Sequence, residues 1–149
     1  MARISIDATA VTLAGKGNSR TQRKTVEAIA ALGLPHELLA FVRGAEGEAA
    51  ISALGVRCVR MPNRKTLAWE QAGLPRAIAR ERLDVVLTLS DRLPVWGSGR
   101  YVVWLFEIPT HRIAQNRAAK AGAYQLATDL VTQALWKRSL RRAARVLAG

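Results

Sequence analysis

The chain has 149 residues, the size of one domain, and at that length about 68–70% of the unfolded surface can be buried in a single core. Half of it is hydrophobic, yet no stretch reaches the ~18–20 consecutive apolar residues of a membrane-spanning helix. The start Met1-Ala2-Arg3-Ile4-Ser5-Ile6-Asp7 meets an acid before any run of signal-peptide length, which predicts a cytoplasmic protein, and the single cysteine, Cys58, excludes an internal disulfide.

Taken in chain order, Arg3 to Ala8 alternates apolar and polar residues as a half-buried strand does. A glycine loop, Ala14-Gly15-Lys16-Gly17-Asn18, leads to a helix predicted from Ser19 to Leu32. Ser19 and Gln22 have capping-box spacing, and Gly33 stands where a helix stops. Pro35 opens a second strand, Glu37 to Val42, and a short helix through Ala49, Ala50 and Ile51 runs to Gly55. A third strand spans Val56 to Met61, with Cys58 as a small buried hydrophobe. Pro75, at a first helical position where no N–H is needed, opens a helix ending near Arg82. Asp84 to Leu89 and Tyr101 to Phe106 are near-continuous apolar runs, the pattern of strands covered on both faces. Thr110 to Ala144 is helical in composition, divided at Gly122, and Arg145 to Ala148 is a last strand.

Strands alternating with helices through short loops predict right-handed crossovers and a Rossmann-like α/β/α sandwich with a mainly parallel sheet of about six strands. In such sheets ligands bind where strands end at their carboxyl edge. Gly15, Lys16, Gly17, Asn18, Ser19 and Arg20 therefore form the first candidate site: a loop entering a helix offers free N–H groups, and two cations accompany them for a phosphate or sugar. The loop lacks the third glycine of a dinucleotide fingerprint, because Arg20 stands there, and a flexible turn is the plainer explanation. Glu107 and His111, after the fifth strand, supply a carboxylate and an imidazole able to orient a hydroxyl. Ser90 and Asp91 follow the fourth strand, where a cap or turn is the alternative role.

The net charge of +12 attracts polyanions: nucleic acid, acidic membrane or phosphorylated ligands. Lys137, Arg138, Arg141, Arg142 and Arg145 make the last helix a basic amphipathic segment around Trp136, Leu140 and Ala144. Contact with an acidic membrane surface and a favourable helix-dipole effect both explain such a segment.

In order, three segments resemble the amino-terminal domain of the retaining glycosyltransferases of family 4, which have the GT-B fold. They are Arg3 to Thr9 with Gly15 to Arg20, Trp69-Glu70-Gln71-Ala72-Gly73-Leu74-Pro75, and Arg141 to Ala148. The resemblance spans essentially the whole chain. It implies an acceptor-binding half that works with a carboxyl-terminal donor domain, transfers sugar from a nucleotide sugar to a glycan or lipid-linked acceptor, and uses no metal or cofactor held in these residues. It also implies that these residues alone are inactive. The sequence departs from the family at Phe106 and Glu107, where relatives commonly carry a His-Asp pair; His111 is the substitute at hand. The rival readings are a basic nucleic-acid-binding module, which lacks aromatics interleaved with arginines on one element, and a stand-alone nucleotide-binding Rossmann-like domain.

Overall fold

The structure is a computed structural model that describes residues 1–61, 69–89, 93–105 and 123–148. All six predicted strands form within a residue of their expected limits: β1 (Arg3–Ala8), β2 (Glu37–Arg43), β3 (Arg57–Met61), β4 (Val85–Thr88), β5 (Arg100–Leu105) and β6 (Arg145–Ala148). They make one sheet in the order β3-β2-β1-β4-β5-β6, and every neighbouring pair is parallel. Parallel neighbours require crossovers. Helices α1 (Asn18–Ala31) and α2 (Gly44–Ser52) join β1 to β2 and β2 to β3, while α3 (Leu74–Arg80) precedes β4 and α4 (Ala123–Arg142) precedes β6.

The period of two along each strand divides the side chains between two cores, which makes the three layers. On one face Ile6, Ala8, Ala40, Val42 and Leu87 pack against Val26 of α1 and Ala50 and Ile51 of α2. On the other, Leu39, Phe41, Val86, Tyr101 and Val103 pack against Ala77 and Ile78 of α3 and Leu93 of the loop before β5. Cys58 is half-buried, and that desolvation pushes its thiol pKa up, which suits an unreactive packing role.

The amino edge of the sheet is held by charge. Arg3 grips Glu37 with two contacts, Nε to Oε2 at 2.6 Å and Nη2 to Oε1 at 3.0 Å. Arg57 reaches Glu37 at 3.4 Å and Glu81 at 2.8 Å, and Arg80 also meets Glu81 at 3.0 Å. Arg3 further donates from its guanidinium to the Glu81 carbonyl and from its backbone to the Asp84 carboxylate. Three adjacent strands, β3, β2 and β1, are thus linked to the end of α3 and the start of β4. Hydrogen bonding to Arg3 holds the Glu37 carboxyl below its ordinary pKa, and Arg80 and Arg57 do the same for Glu81.

Helix starts depart from the sequence pattern in two places. Ser19 and Gln22 do not form a capping box: α1 begins after Gly17, with no side-chain cap. The helical path before α3 begins earlier than Pro75, in a π-helical turn, Trp69–Gly73, whose last residue lies against the Trp69 ring. A Cβ on Gly73 would come within 2.1 Å of that ring, so only glycine lets Trp69 fold back onto the core.

Candidate functional site at the carboxyl edge of the sheet

The strand order reverses between β1 and β4, so their following segments diverge to opposite faces and leave a crevice at the carboxyl edge. Asp7, Thr9 and Thr88 stand at this edge and are buried. Asp7 Oδ1 accepts from the Thr9 backbone at 3.0 Å and from its hydroxyl at 2.6 Å, a local turn that ends β1. The register pairs Asp7 with Phe41 and Thr88 with Val103, which puts both on the α3 face of the sheet. Arg43 ends β2 on the same face, paired with Met61. Its Nε is buried with no hydrogen-bond partner among the described residues. The π-helical turn also buries a carboxylate, Glu70. Asp7, Thr88 and Arg43 stand at the candidate site although the sequence pattern did not single them out; an acid followed two residues on by threonine at a strand end is a signal for a local turn.

The predicted loop runs from this crevice into α1, and it is pinned rather than free. The Ala10 amide donates to Gln22 Oε1 at 2.8 Å and the Thr12 amide to Ser19 Oγ at 3.0 Å, so both residues of the expected capping box reach back to hold the loop. Gly15 is needed there because a Cβ would lie 1.7 Å from Ser19 Oγ. Gly17 has φ +55°, open to glycine at no steric cost. The first turn of α2 closes on the same loop: a Cβ on Gly47 would meet the Val11 carbonyl at 2.8 Å. Lys16, Gly17, Asn18 and Arg20 remain exposed, while Ser19 is buried. The loop therefore presents its cations from a rigid base. Glu107, His111, Ser90 and Asp91 lie outside the described residues.

No family model, curated protein or solved structure matches the chain.

The segment Trp69 to Pro75 and the basic end of α4 serve the loop before β5. Gln71 donates to the Leu93 carbonyl at 3.2 Å and accepts from the Val95 amide at 2.7 Å. Ser139 accepts from the Leu93 amide at 2.7 Å, and Arg142 donates to the carbonyls of Pro94 and Gly97 while lying over the Tyr101 ring. Arg138 contacts the Val95 carbonyl at 3.3 Å. Three of the arginines expected to face a membrane, Arg138, Arg142 and Arg145, are thus bound to backbone carbonyls, and Lys137 and Arg141 stay in solvent. Among the described residues no helix is long and apolar enough to cross a membrane, and no cluster of three or more His, Cys, Asp or Glu could hold a metal ion.

Proposed function

We propose that these residues are the acceptor-side, amino-terminal half of a retaining glycosyltransferase of the GT-B type, working on the cytoplasmic side on a glycan or lipid-linked acceptor. The observation that carries the reading is the glycine loop Gly15 to Arg20, braced by Gln22 and Ser19 beside the crevice of an all-parallel sheet. Rigid polar groups around such a crevice suit a polyhydroxyl ligand: Asp7 and the threonines accept and donate hydrogen bonds, and Lys16 and Arg43 supply positive charge. In this reading Glu107 and His111 orient the acceptor hydroxyl. The nucleotide sugar belongs to a donor domain, and basic side chains with helix dipoles stabilise the leaving diphosphate without a metal.

The strand order favours one other reading, a nucleotide-binding domain, because dinucleotides bind across the same switch point. Arg43 and Gly44, rather than an acid, follow the second strand's core, which leaves the ribose hydroxyls without the usual acceptor. Amide NMR of the labelled chain separates the two. Titration with mono- and disaccharides is expected to shift resonances from Thr9 to Ser19. Shifts there with NAD or AMP and none with saccharides overturn the glycosyltransferase reading.

A further inference from the structure

A second concave surface lies on the flank of α1 facing β5, lined by Arg20, Thr21, Lys24, Thr25, Ala28 and Trp104, with a volume of about 390 Å³. We propose that this groove binds a phosphorylated saccharide, with Arg20 and Lys24 holding the phosphate and Trp104 carrying the sugar ring.

Residues four apart share one side of a helix, so Arg20 and Lys24 form one cationic row and Thr21 and Thr25 a hydroxyl row beside it. Trp104 comes from the neighbouring layer: it alternates with Val103 along β5 and belongs to the α1 side of the sheet. Arg20 is exposed, and among the described residues its guanidinium has no ion-pair partner. Lys24 meets Glu27 at 2.8 Å, an exposed (i, i+3) pair that holds the Glu27 carboxyl below its ordinary pKa. Exposed pairs of this kind are weak, and an ammonium with three donors can keep this contact while taking a phosphate oxygen. The Thr25 hydroxyl donates to the Thr21 carbonyl at 2.9 Å and the Thr21 hydroxyl to the Gly17 carbonyl at 3.2 Å. Their remaining lone pairs are acceptors for sugar hydroxyls.

The groove is shallow and open, so a ligand lying on it keeps one side in solvent. An indole face with C–H groups of a pyranose against it, hydroxyls at one margin and two cations at the other match a sugar phosphate part by part. A nucleic-acid strand requires a basic track with successive stacking residues, whereas one aromatic residue lines this groove. The saccharide half of the proposal rests on the glycosyltransferase reading; the anion half rests on the groove's own charges.

Calorimetric titration of the full chain tests it, with glucose 6-phosphate, glucose and inorganic phosphate as probes. Glucose 6-phosphate is expected to bind roughly 10-fold tighter than phosphate, a second contact energy of about 1.4 kcal/mol. Arg20→Ala and Lys24→Ala, both at exposed positions, each weaken it about 5–10-fold, as loss of a charge-assisted hydrogen bond does. Trp104→Phe lowers affinity for the sugar phosphate and leaves inorganic phosphate unchanged. Phosphatidylcholine vesicles carrying prenyl-phosphate-linked glucose form a separate arm: tighter binding there than in solution assigns a lipid-borne source, and the reverse assigns a free one. The proposal is overturned if about 10 mM glucose 6-phosphate does not bind, or if both cation variants bind it as the parent does. It is also overturned if a single-stranded oligonucleotide binds and glucose 6-phosphate fails to compete. If sugar phosphate and bare phosphate bind alike, the saccharide half falls. Crevice shifts from Thr9 to Thr12, outside the groove lining, report separately on the glycosyltransferase reading.

Discussion

The two edges of the sheet use charge in opposite ways. At the amino edge Arg3, Glu37, Arg57 and Glu81 neutralise one another across adjacent strands. At the carboxyl edge polar side chains hold backbone, and Lys16 and Arg20 are left in solvent above that brace. The same residue type is architecture where a carboxylate is within reach on the next strand, and a potential ligand contact where none is among the described residues. A net charge of +12 therefore says little until its members are divided in this way.

The largest effect is expected for Gly15→Ala, at the carboxyl edge. The added Cβ would meet Ser19 Oγ at 1.7 Å, and overpacking of this kind costs about 1–3 kcal/mol. A drop in the urea midpoint with an unchanged slope is expected; a midpoint equal to the parent's shows that the loop is not braced. Gln22→Ala at the same edge removes the partner of the Ala10 amide, at a cost of about 0.5–1.5 kcal/mol, and raises amide exchange from Ala10 to Thr12.

The amino edge is probed by acid. Glu37 and Glu81 have folded pKa values below the unfolded ones, so their contribution is present above about pH 4.3, the unfolded carboxylate value, and is lost as pH falls through the folded values. Thermal scans are expected to show Tm falling below about pH 4.3, and the fall is shallower in Glu81→Gln. Equal slopes in the variant and the parent remove the ion-pair lattice as the cause. The smallest effect belongs to Lys16→Ala and Lys137→Ala, both exposed, each within about 0.5 kcal/mol of the parent in stability. Only Lys16→Ala is expected to weaken saccharide binding at the crevice.

Every strand was legible in the sequence, because runs such as Val85 to Thr88 and Tyr101 to Leu105 are apolar enough to be covered on both faces. The glycine loop was legible as a place. Its mechanism was not: Ser19 and Gln22 have the spacing of a cap, and whether such side chains bond to their own helix or to the preceding loop depends on where β1 delivers the chain. The π-helical turn at Trp69–Gly73 also escaped the helical pattern, since Gly73 is there for a ring that only packing brings onto it.

Local chemistry and period thus determined the elements, their parallel arrangement and the position of the loop. Tertiary structure decided which charges cancel, which amides are satisfied and that Trp104 faces the cationic flank of α1. These are contacts between residues far apart in the chain, set by strand order and register, and no pattern within a short window encodes them.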